Sequence, residues 1–135
     1  MPQSSSTPIS IFHSTPYPKL PFLDMKTAIL GSRYDLSLSF VGEVRARSLN
    51  EQYRGKSYTP DILSFPLTTS HGEIVLCMPR IRAVAPRYSH SVKTHVGFLF
   101  IHGLLHLKGY VHGDTMERAE RRYCNRFAIP LASAF

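Results

Sequence analysis

Three histidines and a glycine recur at fixed offsets in His102-Gly103-Leu104-Leu105-His106-Leu107-Lys108-Gly109-Tyr110-Val111-His112, and their spacing dictates a local fold. His102 and His106 stand four residues apart, so a helix stacks them on one face with Cβ atoms roughly 5–6 Å apart, close enough to grip one ion. Gly109 supplies the stop. Past the last turn a glycine takes the left-handed conformation without Cβ strain and swings the chain back, so that His112 approaches the same ion from the side. Three protein nitrogens leave a fourth position open to water, the arrangement of a hydrolytic rather than a structural zinc site. A lone histidine on an apolar helix face is more often a hydrogen-bonded core residue than a ligand; three at this spacing, with the glycine, point to a metal.

The spacing H-x-x-x-H-x-x-G-x-x-H is also that of the metzincin proteases, which carry a glutamate directly after the first histidine. Here that position is Gly103, so the side chain that would act as general base is missing and a peptidase mechanism is disfavoured. Imidazole ligands suit zinc, nickel or copper alike, and one zinc ion per chain is the expectation.

At 135 residues the chain fits one domain with a single core. Its longest apolar segment, Val96 to Leu107, is interrupted by Gly97, His102, Gly103 and His106 and reads as a buried helix rather than a membrane span. Residues 1–8 are rich in Ser, Thr and Pro, lack the pattern of a secretory signal and read as a flexible tail, with the domain over 9–135. Two cysteines, Cys77 and Cys124, have no metal-type spacing and are too few for a disulfide scaffold, which fits a reducing cytoplasm. Sixteen Lys+Arg against nine Asp+Glu, a formal charge of +7, favour a polyanionic partner, most commonly nucleic acid.

Along the chain, Ile9 to Phe12 reads as a short strand and Phe22 to Leu30 as a helix closed by Gly31. Asp35 to Val41 alternates polar and apolar residues, the period of a half-buried strand. Glu43 to Tyr53 reads as an amphipathic helix ended by Gly55. Asp61 to Phe65 is a strand stopped by Pro66, and His71-Gly72 a turn before a fourth strand, Glu73 to Cys77. Arg80 to Ala85 suggests one or two helical turns, Ser91 to Lys108 the long histidine helix, and Thr115 to Phe127 a last helix with Asp114 as N-cap. The class is α+β, a single domain with a mixed four-stranded sheet packed with helices, the central one carrying the histidines.

Three segments in this order resemble the YbeY family, bacterial rRNA maturation factors described as single-strand-specific, metal-dependent endoribonucleases. Leu49-Asn50-Glu51-Gln52-Tyr53-Arg54-Gly55-Lys56 is similar to the family's L-N-x-x-Y-R-G-K. Asp61 to Pro66, with Gly72-Glu73-Ile74, resembles its T-D-V-L-S-F-P and G-[DE]-I, and the histidine run resembles its H-G-x-L-H-L-x-G-Y-D-H. Met116-Glu117 and Glu120 match its M-E-x-x-E, which extends the likeness from about Asp35 to Glu120. In two places the chain departs: Thr59 and Pro60 are interchanged, and Val111 replaces the aspartate before the third histidine. If that aspartate orients a ligand, its loss weakens metal binding or rate.

The resemblance implies hydrolysis of an RNA phosphodiester in rRNA maturation and ribosome quality control. His102, His106 and His112 are then the metal ligands, with His106 and Arg54 the residues expected to be catalytic. Arg54 can hold two phosphate oxygens at once; alone, it reads equally well as a solvated charge at a helix C-terminus. Lys56, Arg80, Arg82 and Arg87 are weaker candidates for an RNA-facing surface. Tyr53, Tyr58, Tyr88 and Tyr110 can stack on bases, although core packing is the expectation for most of them. The other histidines, His13, His71, His90 and His95, fit no ligand spacing and are expected to be surface or core residues, although His95, seven before His102 on the same helical face, is also placed to stand behind the ligands. The partners implied are single-stranded rRNA, the small ribosomal subunit and its proteins, and a ribosome-assembly GTPase, without a membrane. The alternative is an rRNA-binding assembly factor with a mainly structural metal, which Val111 favours.

Overall fold

Leu36, Leu38 and Phe40 alternate with Ser37 and Ser39 along β2 (Asp35–Val41), and this two-residue period gives a strand whose apolar side is fully buried. The computed structural model describes residues 9–131; the tail expected over residues 1–8 lies outside the described residues, as do residues 132–135. β1 (Ile9–His13) and β4 (His71–Cys77) flank β2, both parallel to it, and β3 (Ile62–Thr68) runs antiparallel to β4. The sheet is therefore mixed and four-stranded, in the order β1-β2-β4-β3.

Two expectations about β3 and β4 change. Pro66 does not stop β3, because the strand lies at the sheet edge, where a residue without an N–H is tolerated, and a register shift between Pro66 and Thr68 absorbs the irregularity. His71 and Gly72 belong to β4, and the turn is Thr69-Ser70, braced by the Ser70 N–H donating to Thr68 Oγ1 at 3.2 Å.

Helices cover both faces. On one side α1 (Phe22–Leu30), α4 (Val92–Lys108) and α5 (Asp114–Arg126) enclose the main core, in which Phe22, Met25, Leu36, Phe40, Ile74 and Phe100 are buried. On the other side α2 (Glu43–Arg54) packs Ala46 and Leu49 on Leu63, Val75 and Cys77. β4 is thus apolar on both faces, which explains its nearly continuous run of hydrophobic residues. Leu104 and Leu105 sit in the core between the two stacked histidines, so burial of α4 fixes the direction in which His102 and His106 project.

α3 (Met78–Val84) and a 3-10 turn at Ala85–Tyr88 connect β4 to α4. α5 is capped by Gly113, whose φ of 145° suits glycine, rather than by Asp114, which falls inside the first turn where its charge favours the helix dipole. Among the described residues no helix is long and apolar enough to cross a membrane.

Candidate metal centre and adjoining cleft

Ser91 starts α4 by accepting the Thr94 N–H on its hydroxyl at 3.1 Å. Gly109, with φ of 112°, ends it: the Gly109 N–H donates to His106 O at 3.0 Å and the Tyr110 N–H to Leu105 O at 3.0 Å. The chain doubles back over the last turn and carries His112 beside the two helical histidines. Ring centroids lie 4.5 Å apart for His102 and His106, 4.8 Å for His106 and His112, and 5.4 Å for His102 and His112.

One nitrogen from each ring falls within 4.8 Å of the others, and the Nε2 atoms of His102 and His106 face each other at 3.1 Å. The edge of a tetrahedron built from zinc–nitrogen bonds is about 3.3 Å, so this pair already spans one edge. His112 is the exposed member, on the short segment between Gly109 and Gly113. The donor set, three imidazoles on one side of an open cleft, fits a metal with positions left free.

Glu120 of α5, 8% exposed, accepts a hydrogen bond from Nδ1–H of His102. With Nδ1 committed as donor, the lone pair of His102 is left on Nε2, the nitrogen that faces His106. Burial, and then the neighbouring His102 and His112, push the pKa of His106 below the ordinary histidine value. His106 is therefore neutral near pH 7, the form that can bind a metal.

At Gly103 α4 lies close against the sheet. A Cβ there would stand 3.0 Å from Cδ1 of both Ile62 and Ile74, and Ser64 Oγ donates to the Gly103 carbonyl at 3.2 Å. A glutamate at this position would have to enter the core, so the missing base follows from packing as well as from sequence.

Arg54, the last residue of α2, lines the same cavity as all three histidines, together with Ser64 and Pro66. Gly55 closes α2 in the left-handed conformation, and buried Asn50 donates from Nδ2 to the Tyr58 carbonyl at 2.9 Å. Arg47 reaches across to Thr59 Oγ1 at 2.9 and 3.1 Å. The interchanged Thr59-Pro60 thus leaves a tethered loop that holds the Arg54 end of the helix beside the cleft.

The weaker candidates separate. Arg80 and Arg87 line a second cavity with Arg54, whereas Lys56 and Arg82 are exposed and line neither that cavity nor the histidine one. Tyr110 packs partly buried against the main core, but Tyr53, Tyr58 and Tyr88 are 61%, 52% and 50% exposed, contrary to the expectation that most would be internal. His95 is a core residue, as preferred from its spacing, and does not stand behind the ligands. It is fully buried and its Nδ1 pairs with that of His90 at 3.0 Å, while Phe98 stands between it and His102. The group behind His102 is Glu120, eighteen residues away. No spacing rule finds it, because an interhelical contact has no period; only its place in M-E-x-x-E signalled it. Val111 is 78% exposed.

A sequence model of the family described as Endoribonuclease YbeY matches residues 21–127. The Endoribonuclease YbeY of Finegoldia magna is 39% identical over 103 residues, covering 71% of this chain and 67% of that protein. That of Mesoplasma florum is 37% identical over 102 residues, covering 67% of this chain and 60% of that protein. The chain thus spans about two thirds of the length of these relatives. The solution structure of TM1509 from Thermotoga maritima is 25% identical with a TM-score of 0.67, covering 88% of each chain.

Proposed function

Because this chain belongs to the YbeY family, we propose that it is a metal-dependent, single-strand-specific endoribonuclease that acts in rRNA maturation and ribosome quality control. The observation that carries the reading is the convergence of His102, His106, His112 and Arg54 on one open cavity. The three imidazoles would hold one zinc ion, with nickel the substitute of similar ligand preference. A bound ion supplies Lewis acidity, which acidifies water near neutral pH and offsets charge on the scissile phosphate.

The protein's own part is positional and electrostatic. Glu120 holds the His102 ring with its lone pair toward the cleft, and burial keeps His106 neutral. Arg54 presents a planar fork of N–H donors to two non-bridging phosphate oxygens and stabilises the extra charge that develops as water adds to phosphorus. The P–O bond to the leaving nucleotide then breaks, with one new end retaining the phosphate and the other a hydroxyl. Single-stranded rRNA in the cytoplasm is the substrate proposed, with the small ribosomal subunit, its proteins and an assembly GTPase as partners.

The test is cleavage of single-stranded rRNA fragments by metal-free and zinc-reconstituted protein, beside His106→Ala and Arg54→Ala, with bound zinc measured in each. Cleavage that requires zinc, is abolished by His106→Ala and falls on the order of a hundredfold in Arg54→Ala at full zinc content supports the reading. A protein that holds stoichiometric zinc and cuts nothing is instead an rRNA-binding assembly factor with a structural metal, the role that Val111 favours.

A further inference from the structure

The second cavity encloses about 590 Å³, and its lining combines cations with aromatic faces. Arg54, Arg80 and Arg87 border it, with Tyr58 and Tyr88, and Asp61 is its one acidic wall residue. Among the described residues none of the three arginines is paired with a carboxylate, so their charge is available to a ligand. Arg54 also borders the histidine cavity, and Ile62 borders both, so the two spaces share a wall.

Tyr88 is held from behind and open in front, and Tyr58 is tethered through its backbone. The Tyr88 ring lies against His90 and His95 at centroid distances of 5.7 and 4.8 Å, yet half of the residue is exposed. The Tyr58 backbone is pinned by Asn50, while its side chain stands 52% exposed. Both side chains are half exposed. Beside unpaired arginines they form a stacking platform with phosphate holders. A duplex offers no free base face, whereas an unstacked single strand does.

We propose that this basin is a nucleotide subsite that seats one or two unpaired RNA nucleotides next to the phosphate at the histidine cleft, with bases on Tyr58 and Tyr88 and backbone phosphates on Arg80 and Arg87. The assignment deepens the ribonuclease reading and rests on it for the identity of the ligand. It accounts for strand preference: a nucleotide must leave its helical stack to enter.

The experiment is equilibrium binding of the full chain, in chelator, to a fluorescent 12-nucleotide oligoadenylate and to inorganic polyphosphate, which has charge but no bases. Tyr58→Ala and Tyr88→Ala should weaken oligoadenylate binding on the order of tenfold each and leave polyphosphate binding unchanged. Arg80→Gln and Arg87→Gln should weaken both ligands and each lower the salt slope for the single strand by about 0.7. Tyr88→Phe, which keeps the ring and its packing on His90 and His95, should bind like the parent and so separates stacking from a folding defect. Tyrosine variants that bind oligoadenylate normally, or that lose both ligands equally while Tyr88→Phe does the same, overturn the subsite. Because binding is read without metal, a failed cleavage assay leaves this result standing, and normal cleavage with tyrosine-independent binding discards the subsite alone.

Discussion

Replacing Glu120 isolates the contribution of an interhelical contact at the centre that no local spacing encodes. Its carboxyl group, with side-chain exposure of 11%, accepts from Nδ1–H of His102. A hydrogen bond to a charged acceptor contributes about 1.5–3 kcal/mol and a neutral one about 1, so Glu120→Gln, which keeps an acceptor but removes the charge, should lose about 0.5–2 kcal/mol. That difference is roughly a 2- to 30-fold weaker metal affinity, its upper part overlapping the 10–100-fold range typical of losing such supporting groups. Glu120→Ala also leaves Nδ1–H without a partner and should fall nearer a hundredfold. Competition of zinc against a chromophoric chelator reads the affinity, and circular dichroism of the metal-free variants confirms that they fold. His95→Asn serves as the control and should bind zinc like the parent, because His95 pairs with His90 rather than with a ligand. Glu120→Gln that binds zinc within twofold of the parent, or His95→Asn that loses affinity as far as Glu120→Ala, would refute the assignment.

Val111→Asp, which restores the family residue, should raise zinc affinity no more than about threefold, because a position 78% exposed is well screened; the same chelator competition measures it. Gly103→Ala should change stability by less than about 2 kcal/mol, overpacking against Ile62 and Ile74 being partly offset by helix propensity, whereas Gly103→Glu should cost on the order of 4 kcal/mol or more by thermal unfolding and create no peptidase. Burial lowers the pKa of His90 and His95, the latter also through His90 and against the opposing effect of Asp61. A histidine held below its unfolded value of about 6.5 stabilises the fold in full above that pH, and the contribution is lost as pH falls beneath it toward the folded value. The melting temperature of the metal-free protein should therefore drop between about pH 7 and pH 5, and more shallowly for His95→Asn relative to its own value at pH 8.

Much of the architecture was legible because its signals are local. The alternation in β2, the caps at Gly31, Gly55, Ser91 and Gly109, and the four-residue step from His102 to His106 each depend on a few consecutive residues. The misread boundaries include Pro66 and His71-Gly72, where edge position and register decide whether such residues end a strand or continue it. Neither property is encoded in a short window.

The sequence by itself determined that a helix with two stacked histidines would end at Gly109 and return a third, because helix period and glycine stereochemistry act within one turn. Tertiary structure alone decided which groups meet that centre. Glu120 reaches His102 only because α5 packs across α4, Arg54 borders the cleft only because α2 ends beside β3, and His95 is turned to His90 rather than to the ligands. It also decided that Tyr58 and Tyr88 stay half in water, since burial is set by what packs above a side chain and not by its identity.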